Sequence, residues 1–135
     1  MREGGCLGGQ VGYQVTGPLR PIVACHCHQC RKSSNHHLAA TSAARAHIQI
    51  TGDVTWFQSS ETSKRGFCGR CGSNLFWGGT EATLSILAGS LNTADGLSLV
   101  GHIYCWNKWR YYGIGDGLPQ ADTHNPSLTA MADDT

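Results

Sequence analysis

The stretch Cys25-His26-Cys27-His28-Gln29-Cys30 constrains this chain more than any other. Three thiols fall within six residues, at offsets 0, 2 and 5. Thiolates around one tetrahedral zinc sit roughly 3.8 Å apart, each about 2.3 Å from the metal. A disulfide demands a far closer sulfur–sulfur contact of about 2.05 Å. If Ala24–Cys27 is extended, Cys25 and Cys27 share a face, and a tight turn over His28 and Gln29 returns Cys30 to it. The segment then offers three thiolates and leaves one corner of a tetrahedron open. An open corner is what catalytic zinc needs, and a closed set is what structural zinc has. On spacing alone both readings stand, because His26, His28, His36 and His37 are near enough in sequence to close the set. In a strand, His26 and His28 face away from the thiols, where hydrogen bonding or packing is their ordinary role.

A second thiol group is Cys68-Gly69-Arg70-Cys71-Gly72, two cysteines in knuckle spacing with a glycine after each. Cys6 is its one obvious remote partner. Cys105 lies in an apolar, aromatic stretch and reads as a small buried hydrophobe. Zinc with three thiolates carries a net charge of −1, which Arg31 and Lys32, directly after Cys30, are placed to offset. Their alternative is plain solvent exposure.

At 135 residues with a formal net charge of +1, the chain is the size of one domain and lacks the basic field that holds a phosphate backbone. No nucleic acid is expected as partner. No apolar run approaches the eighteen or so residues of a membrane span, so no membrane partner is expected either. Met1–Cys6 carries no apolar leader, so a reducing, cytoplasmic setting is expected. There, seven cysteines read as metal ligands more readily than as a disulfide framework.

The coarse pattern is all-β. Val11, Tyr13 and Val15 alternate with polar residues, the mark of a half-buried strand over Gln10–Val15. Further strands are expected at Ile22–Ala24, His37–Thr41, Ala46–Thr51, Val54–Phe57, Lys64–Phe67, Leu75–Trp77, Ala82–Ala88 and Gly101–Trp106. A short helical turn is expected over Arg31–Asn35. The aromatic cluster Trp106, Trp109, Tyr111 and Tyr112 is expected to serve core packing. The domain is expected to span residues 1–120, followed by a loose polar tail over 121–135.

Several motifs together carry a resemblance. They are Gly5-Cys6-x-Gly8-Gly9-x-Val11, Cys25-His26-Cys27-x-x-Cys30-Arg31-Lys32, and Arg65-Gly66-Phe67-Cys68-x-x-Cys71-Gly72-Ser73-x-Leu75-Phe76. His102-Ile103 and Asp116-Gly117-Leu118-Pro119 complete the set. Over residues 4 to about 120 the chain resembles the glutathione-dependent formaldehyde-activating enzyme family. The resemblance implies a β-rich, Mss4-like fold with zinc as cofactor, one or two ions per chain. It implies a catalytic zinc on Cys25, Cys27 and Cys30, and a structural zinc on Cys6, Cys68 and Cys71. The structural site departs from the family pattern, because Gly8 stands where the family has its second N-terminal cysteine.

The implied activity is that of a carbon–sulfur lyase joining the thiol of glutathione to formaldehyde. His26, His28, His36 and His37 are the candidate proton carriers by residue type. A different class of function is a non-enzymatic zinc protein that binds a thiol ligand or a protein partner. A third is a redox protein that oxidises Cys68 and Cys71 reversibly, which the glycines of the knuckle disfavour.

Overall fold

The computed structural model describes residues 1–130. Ten strands among them form two sheets. Strands β1 (Arg2–Gly5), β2 (Gly12–Val15) and β5 (Ile48–Thr51) make the smaller sheet, in the order β1-β2-β5. The larger sheet holds β3 (Ile22–Cys25), β4 (Leu38–Ala44), β6 (Val54–Gln58), β7 (Lys64–Cys68), β8 (Asn74–Gly78), β9 (Thr83–Leu87) and β10 (Leu99–Ile103). Its order is β10-β3-β4-β9-β8-β7-β6. All its pairs are antiparallel except β10 on β3, where Ile103 lies opposite Cys25. Helix α1 (His28–Ser34) follows β3, and a short α2 (Pro126–Thr129) lies near the C-terminus. No helix among the described residues is long and apolar enough to cross a membrane.

The alternation at Val11, Tyr13 and Val15 puts all three in the core. They pack with Ala43, Leu75, Phe76, Leu84 and Ile86 of the larger sheet, and with Cys68. Tyr13 and Phe76 meet edge to face at 5.3 Å, an arrangement the ring quadrupoles favour. The sheet's other face is left for a cleft. Val23 and Cys25 of β3, Leu38, Ala40 and Ser42 of β4, and Ser85 and Leu87 of β9 line it, as the two-residue strand period requires.

The mainly-β expectation holds, and several elements differ from it in detail. Strand β1 has no strand-like composition. It forms because β2 offers a partner along its whole length, and because Gly4 has no side chain where the Tyr13 ring crosses. A Cβ there would stand 2.4 Å from the ring carbon Cζ. Beyond Cys25 the chain is not a strand turning at His28: helix α1 begins there, so the helical turn expected over Arg31–Asn35 starts three residues earlier. Arg45–His47 is a 3-10 turn ahead of β5, which shortens the strand expected from Ala46. Strand β10 stops at Ile103, because Tyr104 takes a left-handed conformation with φ of 55°.

The expected loose tail is not loose between residues 121 and 130. The Ala121 amide donates to the His102 carbonyl at 2.9 Å, and the Tyr104 and Cys105 amides donate to Thr123 and Ala121 at 3.0 Å each. Arg20 Nη1 donates to the Thr129 carbonyl at 3.3 Å. Polar composition hid this docking, because backbone pairing carries most of it. Residues 131–135 lie outside the described part.

Phe76 is 1% exposed and bridges the two sheets. Phe76→Ala is expected to lower the unfolding free energy by about 3–5 kcal/mol, read from the denaturant midpoint at unchanged slope.

Candidate functional site

The two thiol groups assemble as two trios. Cys25, Cys27 and Cys30 place their sulfurs within 4.8 Å of one another, and so do Cys6, Cys68 and Cys71. All seven cysteines are free of disulfides. Among the described residues, no histidine, aspartate or glutamate joins either trio. Cys105 stays apart from both.

The first trio is built by a change from strand to helix. Cys25 closes β3, Cys27 caps α1 with extended backbone, and Cys30 lies in the first helical turn. The Cys27 sulfur accepts from the Cys30 amide at 3.3 Å, in the role an Asp or Ser oxygen has at most helix starts. Hydrogen bonding from the Cys25 thiol, then from Cys30, holds the Cys27 thiol well below its usual range. The same sharing with Cys27 pushes the Cys25 thiol up. Arg65 Nη2 stands 3.7 Å from Cys30 Sγ and 3.3 Å from Gln29 Oε1. Its buried Nε has no partner among the described residues. Three sulfurs at this spacing, with an amide and a guanidinium turned to them, are a donor set that fits zinc.

The trio opens into a cleft of about 770 Å³, within the usual range for small-molecule sites. Gln29, His28, Tyr104 and Asn107 line the cleft with the thiols and Arg65, as do the apolar Leu38, Ala40 and Leu87. Trp77 lines the same cleft and is 37% exposed.

The histidines divide. His28 opens α1 and lines the cleft, with Arg31 Nη2 3.2 Å from its Nδ1. It was expected to face away as part of a strand, and the helix overturns that. His26 faces away, as alternation predicts, and is 1% exposed. Its Nδ1 is 2.6 Å from the Tyr112 hydroxyl, and its Nε2 is 3.0 Å from His102 Nδ1. His102 Nε2 in turn lies 2.7 Å from Asp116 Oδ2. With Asp116 ionised and both rings neutral, every donor has its acceptor. Tyr112 O–H donates to His26, His26 Nε2–H to His102, and His102 Nε2–H to the carboxylate. Burial, with His37 next, lowers the His26 pKa to about 4. His37 packs its ring 4.7 Å from that of His26. His36 Nδ1 meets the Tyr111 hydroxyl at 2.5 Å. Neither His36 nor His37 joins the trio, so neither closes it among the described residues.

Two features escaped sequence reasoning. Arg65, not Arg31 or Lys32, faces the sulfurs. Arg31 lies over the Trp109 ring at 4.1 Å, and its charge is engaged there. The Tyr112-His26-His102-Asp116 chain links residues up to 90 positions apart. His26, His102 and Asp116 each stood in a sequence motif, but nothing in the sequence joined them to one another or to Tyr112. The aromatic cluster also departs from expectation: Trp106, Trp109 and Tyr111 are exposed rather than core.

The second trio joins the end of β7 and the turn after it to the loop after β1. Gly72 turns the knuckle with φ of 81°, a conformation open to glycine at little cost. The Val11 amide donates to Cys6 Sγ at 3.2 Å and the Gly8 amide to Cys71 Sγ at 3.4 Å. Hydrogen bonding, first from the Ser73 hydroxyl, brings the Cys71 thiol down to about 6.

The His26 chain braces the first trio from behind without touching it. Asp116→Ala is therefore expected to lower the melting temperature of the zinc-loaded protein while leaving its zinc content unchanged. Calorimetry and metal analysis on the same sample check both.

The family model described as glutathione-dependent formaldehyde-activating enzyme matches residues 1–107. No curated protein matches the chain. A crystal structure of a Rhodobacter sphaeroides protein, a structural genomics target, is similar at a TM-score of 0.60. It is 21% identical, over 74% of this chain and 98% of that one. At that identity the likeness is one of fold. With the family model covering most of its length, the chain belongs to the glutathione-dependent formaldehyde-activating enzyme family.

Proposed function

We propose that the chain is a zinc-dependent carbon–sulfur lyase that joins the thiol of glutathione, or a similar small thiol, to formaldehyde or a related aldehyde. One observation carries the reading: a three-sulfur site that no histidine, aspartate or glutamate joins among the described residues, opening into a cleft of about 770 Å³. Cys25, Cys27 and Cys30 are the residues that would hold the ion. Bound there, zinc supplies a positive centre that lowers the pKa of a thiol docked beside it.

The chain's own residues do the rest. Arg65 stands beside Cys30, where its charge steadies an anionic sulfur in the cleft. Leu38, Ala40 and Leu87 keep that wall apolar, which strengthens the attraction. The thiol gives its proton to solvent, the sulfur lone pair forms the new bond to the aldehyde carbon, the carbonyl electrons move to oxygen, and that oxygen takes a proton. His28 and Tyr104 line the cleft, and they are the proton donors we assign to this step by residue type. His26, the earlier candidate, faces its own hydrogen-bonded chain instead. A reducing, cytoplasmic setting suits the free thiols.

A second reading is a zinc protein that binds a thiol or a protein partner without chemistry. The exposed Trp106, Trp109 and Tyr111 favour it, since exposed aromatics are common at interfaces. The condensation also runs without a protein, so the deciding measurement is its rate above background at fixed glutathione and formaldehyde.

Cys25→Ser or Cys30→Ser is expected to remove one zinc equivalent from protein purified under reducing conditions, and to abolish rate enhancement. Unchanged metal content contradicts the site. Arg65→Met is expected to keep the zinc and to weaken binding of glutathione, whose thiol can ionise, by about tenfold, the loss of one charge-assisted contact. Quenching of Trp77 fluorescence by the titrated ligand reads it.

A further inference from the structure

The second trio has a neighbour that its cysteines do not explain. Gln10 Oε1 lies 3.5 Å from Cys6 Sγ and 3.8 Å from Cys68 Sγ. Oxygen and sulfur sharing one tetrahedral zinc lie about 3.6 Å apart, given bonds of about 2.0–2.2 Å and 2.3 Å. The carboxamide also fills a particular space. A Cβ built on Gly8 would stand 2.3 Å from Gln10 Oε1 and 2.9 Å from its Nε2. Gln10 therefore sits where a side chain at position 8 would project. The same loop turns two backbone amides onto the trio, Val11 to Cys6 and Gly8 to Cys71. Among the described residues no histidine or carboxylate completes the set.

We propose that the carboxamide oxygen of Gln10 is the fourth donor to a metal held by Cys6, Cys68 and Cys71. It takes the corner that Gly8, having no side chain, leaves open. The inference goes beyond the proposed lyase reading, which concerns the other trio. Its chemistry is distinctive. A neutral oxygen in place of a fourth thiolate leaves the zinc site at net −1 rather than −2. It also replaces a soft ligand with a hard one, which binds zinc less firmly than sulfur does. Gln10 is exposed, so solvent is the rival donor.

The test is zinc release from the loaded full-length chain to a competing chelator. In Gln10→Ala, one zinc equivalent is expected to bind about tenfold more weakly or worse, with the other unchanged. Gly8→Cys should tighten that same equivalent. In the Gly8→Cys background, Gln10→Ala should cost nothing, because the new thiolate displaces the amide. Equal affinity in wild type and Gln10→Ala overturns the proposal and assigns the corner to solvent. So does a Gln10→Ala penalty of the same size in the wild-type and Gly8→Cys backgrounds, or a wild-type chain that takes no zinc at this trio. If Gln10→Ala does not fold, the wild-type protein decides. Zinc loading must shift the Gln10 side-chain amide resonances, and resonances that stay fixed overturn the proposal. The lyase reading fails separately, through unchanged zinc content in Cys25→Ser or Cys30→Ser.

Discussion

Three sulfurs from one short segment converge only if the chain changes its periodicity between them, and the switch at Cys27 is that change. A continuous strand would carry Cys30 to the face opposite Cys25. A helix begun at Cys25 would set Cys27 about 200° round the axis from it. Ending β3 at Cys25 and starting α1 at His28, with Cys27 as the cap, satisfies all three. Strand β3 can stop there because it is held on both sides, by β10 and by β4. From behind, His26 is locked into a hydrogen-bonded chain that ends at Asp116. The sulfur positions thus follow from the sheet rather than from the metal alone.

The second trio poses a different constraint. Cys6 follows a strand of the small sheet, while Cys68 ends β7 in the large one and Cys71 lies in the turn after it. A metal there would tie the two sheets together beside the core, since all three cysteines pack against the core cluster or belong to it. Metal affinity at such a place is folding free energy. The packing of Val11, Tyr13 and Val15 against Phe76, Leu75 and Ile86 shares that role, which makes room for a donor set with fewer than four thiolates.

Much of the fold and site was legible where the signal is local. Alternation marked β2, a short glycine-bounded apolar run marked β9, and thiol spacing marked the first trio and the Cys68–Cys71 pair, to which Cys6 was joined by the family resemblance. The rest was illegible where the cause is distant. Strand β1 exists because β2 pairs with it, and no propensity in Arg-Glu-Gly-Gly announces that. Arg65 meets Cys30 through sheet order, 35 positions away in sequence. The His102 pairing needs the parallel register of β10 on β3, a long-range fact. Gln10 reads as a strand residue, because nothing in the spacing tells of its nearness to Cys6 and Cys68.

The segment from Pro119 to Thr123 runs alongside β10, the outermost strand on that side of the large sheet. An uncovered border strand is a template onto which another chain can add. Here its amides and carbonyls are taken up by the protein's own C-terminal stretch, with Leu128 nestled against Gly101. That stretch acts as a selvedge: clipping it away by a protease would bare a β-rich margin and invite copies of the molecule to stack, even with both thiol sites intact.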